Sequence, residues 1–200
     1  LWTRNYTLVT AATTLGMIGS IAGGFALSFL VFDETGSTLA AALIVAIQLV
    51  PTFLLPLIFA PWMDRLPRKP FLVGGDVVNA ILYTLMGVYL MFFRFSYIGY
   101  LAYSLLLSAL GTIDELAYNS IYPKLIPEGM EQQGYAVSSM LYPVMKVLLM
   151  PLSAVLLDFF GVTWLLVIQG VFSLLAALVE SRIQIAEVSR LDEKGYSLRL

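Results

Sequence analysis

Three ionisable residues lie inside long apolar stretches of this 200-residue sequence, and their chemistry most needs an explanation. Asp114 and Glu115 are adjacent in one stretch, and Lys146 lies in the next. A charge at the centre of a membrane helix costs at least about 2.5–3.5 kcal/mol on insertion scales. We therefore expect each of these residues to have either a partner or a function.

The depths of these groups along their predicted helices allow them to meet. The carboxylates lie roughly 10–12 Å from the end of one helix, and Lys146 lies roughly 16–18 Å from the start of the next, antiparallel one. Adjacent residues point about 100° apart, so we expect only one of Asp114 and Glu115 to face Lys146. Two interpretations remain open. The charges either form a buried ion pair that joins two helices, or line a watery path that binds an ionic substrate or exchanges a proton.

The composition excludes several kinds of chemistry within this chain. It has no Cys and no His, which excludes disulfides, Cys-based metal sites, Cys nucleophiles and His acid–base pairs. It has no phosphate-binding P-loop. The net charge of −2 gives no indication of nucleic acid, because the basic residues cluster at helix ends. We predict no enzymatic activity, no metal, no cofactor and no nucleic-acid partner.

The fold class follows from hydropathy. The chain is 60% hydrophobic and 12% charged, against about 25% charged residues in soluble domains, and its mean hydropathy is +0.87. Apolar runs of roughly 20 residues cross the membrane, and in lipid they must be helices. We predict an all-α integral membrane protein with a six-helix bundle over residues 1–180 and a cytoplasmic linker over 181–200. The predicted spans are approximately 7–32, 39–60, 71–92, 97–122, 134–157 and 162–179.

Basic residues predict the orientation of the bundle. Arg4, the cluster around Arg68, and Lys124 fall on one side together with the basic residues of the tail, whereas Arg94 falls on the other. Lys and Arg are enriched on the cytoplasmic side of membranes. We therefore expect a multi-pass protein of the cell membrane, in contact with its lipids and with both ends of this chain in the cytoplasm. Both ends have the character of cuts in a longer protein.

Small and polar residues suggest where a cavity lies. A stripe of small residues, each four positions apart, follows one face of the first helix. It is either a packing seam for a neighbouring helix or the border of a central cavity. The stripe consists of Ala12, Gly16, Ser20, Gly24 and Ser28. Gln48, Asn79 and Gln169 either line a polar interior or bond to a neighbouring helix. Asp76 is assigned to the cytoplasmic charge cluster, and Glu180 to the solvated start of the linker.

Two segments carry a resemblance to a known family. Ala60-Pro-Trp-Met-Asp64-Arg65-Leu-Pro67-Arg68-Lys69 resembles the loop Gly-x-x-x-Asp-Arg-x-Gly-Arg-Lys/Arg between the second and third helices of the major facilitator superfamily. Gly111 to Pro127 resembles the end of the fourth helix in the enterobactin-exporter-like and macrolide-exporter-like branch. Its matches are Gly111, Ala117, Pro123, Leu125, Ile126 and Pro127.

The resemblance implies a secondary transporter that works by alternating access. This chain would be the amino-terminal six-helix half, built from two inverted three-helix repeats, and its partner would be a missing carboxy-terminal six-helix half. It implies a proton-coupled exporter, or antiporter, of a small amphipathic compound or drug, driven by an ion gradient. It also implies a gating role for Asp64, Arg65 and Arg68, with Lys69 in the same signature loop.

Two alternatives to the half-transporter remain open at this point. One is a non-transporting membrane protein, such as an assembly factor or receptor that retains the fold. Its interior would be sealed, with the charged residues paired. The other is a complete six-helix chain that pairs with a copy of itself.

Overall fold

Five helices make up the described part of the chain, residues 1–63 and 68–184 of a computed structural model. They are α1 (Arg4–Thr35), α2 (Thr38–Met63), α3 (Arg68–Phe92), α4 (Tyr97–Leu125) and α5 (Glu131–Ser181). Four of them, all except α4, contain a stretch that is long and apolar enough to cross a membrane. The all-helical class predicted from hydropathy is confirmed.

The longest helix, α5, has a break at Gly161. Its 51 residues would extend about 76 Å if straight, far more than the roughly 30 Å of a bilayer core. Gly161 has φ 75° and ψ 170°, a conformation that essentially only glycine adopts. Gly161 divides α5 into segments 131–160 and 162–181. The predicted fifth and sixth spans, 134–157 and 162–179, lie within these two segments. The expected count of six separate helices is not confirmed, because α5 is one element interrupted at Gly161.

Both ends of α5 lie at the same end of the bundle. Near its start, the carbonyl oxygen of Gly134 accepts hydrogen bonds from Tyr122 (2.7 Å) and Tyr6 (3.2 Å). After its end, Gln184 exchanges hydrogen bonds with Asn5 of α1. The two segments of α5 therefore run in opposite directions. We call this end of the bundle the basic end, because Arg4, Lys69, Lys124 and Arg182 are at the helix termini gathered there.

Lys69 ties the start of α3 to the end of α5. Its ammonium group donates to the carbonyl oxygens of Ser181 (2.8 Å) and Ile183 (2.7 Å). The last carbonyls of a helix have no partner within the helix, and a cation there also complements the helix dipole. Lys69 thus caps the end of α5.

The start of the predicted linker is part of the packed bundle. Ile183 is only 1% exposed and packs in one apolar cluster with Tyr6 and Ile121. The expectation of a surface linker from residue 181 is therefore wrong for Ile183. Residues 185–200 lie outside the described part.

Glycines bring α5 close to α1 and α3. A Cβ on Gly19 would lie 2.8 Å from Oε1 of Gln169, and one on Gly87 would lie 3.1 Å from the carbonyl oxygen of Thr163. Glycine permits this approach because it has no side chain. The seam of α1 thus runs through Gly19 and Gly23. It is not the predicted stripe, since a Cβ on Gly16 or Gly24 would meet no atom within 4 Å.

Candidate functional site

An acidic cavity of about 600 Å³ lies between α1, α3, α4 and α5, toward the basic end. Four carboxyl groups line it, from three different helices. The apolar and aromatic part of its wall includes Met17, Leu72, Tyr118 and Tyr142. Among its described lining residues there is no Lys and no Arg. The carboxyl groups are those of Asp76, Asp114, Glu115 and Glu180.

Asp114 reaches the cavity from α4 across a glycine of α3. A Cβ placed on Gly75 would lie 2.8 Å from Oδ1 of Asp114, so the carboxyl group rests directly against the α3 backbone. This oxygen is buried and has no hydrogen-bond partner in the described part of the chain. The absence of a side chain at Gly75 therefore positions the carboxyl group, but nothing there satisfies Oδ1.

Glu180 is a site residue that the sequence analysis missed. It is 4% exposed, it lines the cavity, and its Oε2 has no hydrogen-bond partner among the described residues. We had assigned it to the solvated linker because charged residues follow it. A contrary signal was present, since Ala176 and Ile183 continue the apolar helical spacing on both sides of Glu180 and both are buried.

Gln169 places an amide oxygen in the same cavity. The residue belongs to α5, is 4% exposed and packs against Gly19 and Gly23 of α1. Its Nε2 lies 3.5 Å from Oγ of Ser173, whereas its Oε1 has no donor in the described part of the chain. Asp114, Glu180 and Gln169 thus all line one cavity, and each has a buried oxygen without a partner in the described part of the chain.

Asp76 belongs to this cavity and not to a charge cluster at the membrane surface. It lies on α3, about two helical turns from Arg68, and lines the cavity beside Asn79. Asp76, Asp114 and Glu180 line this one cavity from three different helices. The earlier assignment failed because distance along the sequence from the basic loop does not show which way a side chain points.

Lys146 does not form the expected ion pair in this structure. Its side chain is exposed, and its Nζ lies 5.6 Å from the centroid of the Tyr142 ring on the same helix. Within the described residues it makes no ion pair with Asp114 or Glu115. The positions of Asp114, Glu115 and Lys146 along their helices gave them similar depths in the membrane. They did not determine how α5 is rotated about its axis, and that rotation decides which way Lys146 points.

A comparison with protein families identifies the fold that carries this cavity. The sequence model described as the Major Facilitator Superfamily matches residues 7–192, which is nearly the whole chain. The chain belongs to the major facilitator superfamily. No curated protein and no solved structure matches it.

Membership in the major facilitator superfamily gives the site its functional class. Members are transporters and not enzymes, so this chain is a transporter sequence with several membrane-crossing helices. A cavity between the helices of a transporter is where a solute would bind.

This facilitator has a second cavity, of about 500 Å³, between α1, α2, α3 and α4. Gly24 and Gln48 line it, whereas Gly16, Ser20, Asn79 and Gln169 line the acidic cavity. Ser108 donates to the carbonyl oxygen of Gln48 (2.6 Å). The small residues of α1 therefore border open space over most of its length.

The signature loop of this facilitator falls largely outside the described residues. Asp64 and Arg65 lie between α2 and α3 and are not described, and Arg68 is the first residue of α3. Of the four signature-loop residues, only Lys69 has described contacts, and these join α3 to α5.

Proposed function

We propose that this facilitator moves a small amphipathic solute across the cell membrane by alternating access. The acidic cavity carries the proposal. It is lined by carboxyl and amide side chains, several of which have a buried oxygen without a partner among the described residues, and by apolar and aromatic side chains inside a bundle of membrane-crossing helices. Such a surface suits a solute that is partly polar and partly apolar.

Unpaired carboxyl groups also support coupling to an ion gradient. A buried carboxylate without a partner is unfavourable, so Asp114 and Glu180 favour either a bound proton or a bound ligand. Exchange between the two would couple proton entry to solute exit. We propose the proton as the coupling ion, and the resemblance to exporters implies the outward direction.

We propose that this chain forms one half of the transporter, with the two segments of α5 acting as its fifth and sixth spans. A second six-helix half would close the cavity, and the two halves would rock around the solute. The surface of α2 fits a membrane or domain contact. Its Phe53, Leu57 and Ile58 are all exposed, with Leu57 at 77%.

A gate at the basic end completes the proposal. By resemblance, Asp64, Arg65 and Arg68 contact the second half and hold the cytoplasmic side closed. Asp64→Asn in the full-length protein should reduce transport while leaving its insertion normal. Unchanged transport by that variant would show that Asp64 does not act in gating.

The arrangement of the charges favours a transporter over a non-transporting receptor or assembly factor. A non-transporting protein would have a sealed interior with its charged residues paired. Here the described residues line a cavity, and Asp114 and Glu180 in its wall each have a carboxyl oxygen without a partner among them.

The test is proton flux in proteoliposomes that contain the full-length protein and a pH-sensitive dye. Addition of a transported amphipathic compound from a panel should dissipate an imposed pH gradient. Asp114→Asn should abolish this flux, because the variant removes a carboxyl group from the cavity. Asp33→Asn, which neutralises an exposed carboxylate near the opposite end of α1, should retain it. Flux that is equal in both variants would overturn the role of the acidic cavity.

A further inference from the structure

The acidic cavity has an imbalance that narrows the class of solute. Four carboxyl groups line it, and its described lining contains no Lys or Arg, although Nζ of Lys146 lies 5.6 Å from the centroid of the Tyr142 ring in its wall. Two of the side chains with unpartnered oxygens, Glu180 and Gln169, are 96% buried, since each is 4% exposed. Carboxylate and amide oxygens accept hydrogen bonds, and each of these oxygens lacks a donor among the described residues. A positively charged solute complements this lining.

The spread of the carboxyl groups argues against a compact metal site. They come from α3, α4 and α5, and Gln169 and Glu180 are separated by roughly 16 Å along their helix. In the described part of the chain, no three acidic side chains are grouped closely enough to hold a metal ion. A cavity of about 600 Å³ is instead in the size range of sites for small organic molecules.

The aromatic wall suits an organic cation. Tyr118 lines the cavity and is stacked on Tyr122, with a centroid distance of 5.1 Å and an interplanar angle of 28°. Aromatic faces attract ammonium and similar cations. One lining ring already makes such a contact, because Nζ of Lys146 lies 5.6 Å from the Tyr142 centroid.

We propose that the acidic cavity binds organic cations, with Asp114 and Glu180 as counter-charges, Gln169 as a neutral acceptor and Tyr118 as an aromatic wall. This deepens the proposed transport function and rests on it for its physiological meaning. A cation in the cavity relieves the repulsion among the carboxylates that line it. An organic anion of the same shape meets the same carboxylates with repulsion.

Binding of tetraphenylphosphonium and of tetraphenylborate to the full-length protein in a neutral detergent tests the proposal. These ions have nearly the same shape and opposite charge. Equilibrium dialysis of the wild-type protein should show saturable binding of the cation and at least about tenfold weaker binding of the anion. Equal binding of the two ions, or no saturable cation binding, would overturn the proposal without the use of any variant.

Variants then locate the site. Asp114→Asn and Glu180→Gln should each weaken cation binding at least about tenfold, because each removes a counter-charge and retains the side-chain shape. Glu128→Gln is the matched control. It removes an exposed charge between α4 and α5 at the same end of the bundle, and it should bind like the wild type. An equal loss in all three variants, or no loss in the first two, would contradict the assignment to the acidic cavity.

Transport measured on the same preparations separates this proposal from the proposed function. Cation binding without any cation-driven proton flux would support the site and contradict proton-coupled transport of the bound cation. Proton flux with neutral compounds, in a protein that does not bind the cation, would support transport and overturn the organic-cation site.

Discussion

At the residue scale, the informative feature is an acceptor oxygen that lacks a donor. In the described part of the chain, Asp114, Glu180 and Gln169 each have one such buried oxygen, and all three residues line one cavity. A buried polar group without a partner costs about 1–3 kcal/mol, and more when it is charged. The described lining of the cavity contains no Lys and no Arg, which distinguishes this site from an ion pair that only joins helices.

The stability of Lys146→Met distinguishes an exposed contact from a buried ion pair. We expect a loss of only about 0.5–1 kcal/mol, the usual value of an exposed cation–π contact. Breaking a buried ion pair would instead cost about 3–5 kcal/mol. Thermal unfolding of the full-length protein in detergent measures the difference. Lys124→Met, which removes an exposed charge at the end of α4, is the control, and a loss several times that of the control would restore the ion-pair hypothesis.

Sequence reasoning found part of the site and missed part of it for physical reasons. Asp114 was identifiable because a carboxylate within an apolar run is costly wherever that run folds. Glu180 was missed because its charge merges with those that follow it in the sequence. Pairing Lys146 with Asp114 needed the rotation of α5, which depends on contacts between helices that are distant in the chain.

At the element scale, glycines in different environments show how the backbone positions the site. Gly74 and Gly75 are adjacent on α3, yet only a Cβ on Gly75 would meet Asp114. Gly24 on α1 faces the second cavity, whereas Gly170 on α5 lies directly against α3. The same Gly→Ala substitution can therefore be compared at a packed glycine and at one that faces open space.

Gly75→Ala should disturb the acidic cavity without changing any charge. The added Cβ would lie 2.8 Å from Oδ1 of Asp114, so the carboxyl group must move. We expect proton-coupled transport to fall about threefold to tenfold, since small displacements of a positioned group are costly. Gly74→Ala, where a Cβ would meet no atom within 4 Å, should transport normally. Equal rates in the two variants would show that the position of Asp114 does not matter.

Gly170→Ala should destabilise the contact between α3 and α5. The added Cβ would clash with Oγ1 of Thr84 and lie 2.9 Å from the carbonyl oxygen of Ala80. Overpacking of this kind costs about 1–3 kcal/mol. Gly24→Ala, which adds the same atom to open space, should not be destabilised, because alanine favours the helix. Thermal unfolding of both variants in detergent measures the effect, and an unchanged midpoint for Gly170→Ala would contradict the described packing.

At the scale of the whole molecule, the chain is a facilitator in which most of the described basic residues lie at one end of the bundle, with Arg94 at the other. The starts of α1 and α3, the end of α4 and both ends of α5 meet there, with Lys69 capping α5. The expected orientation of this end toward the cytoplasm remains a prediction, because neither the fold nor the family match fixes it.

Labelling of single cysteines in intact cells tests that orientation. The 200 residues contain no Cys, so Asp33→Cys or Glu128→Cys creates a unique label site in this part of the protein. Any other Cys of the full-length protein would first be replaced. We expect a membrane-impermeant maleimide to label Asp33→Cys from outside, and Glu128→Cys only after the membrane is permeabilised. The reverse pattern would invert the proposed topology and place the signature loop outside the cell.

The sequence by itself determined that this chain folds in a membrane, that it is helical, and to which family it belongs. Those properties depend on local composition and on a short spaced motif, both of which are readable along the chain. Tertiary structure decided which side chains share a space. It turned Asp76 and Glu180 inward beside Asp114 and left Lys146 exposed. The physical reason is that helix rotation and the fold-back at Gly161 come from packing between distant segments, which a linear pattern does not encode.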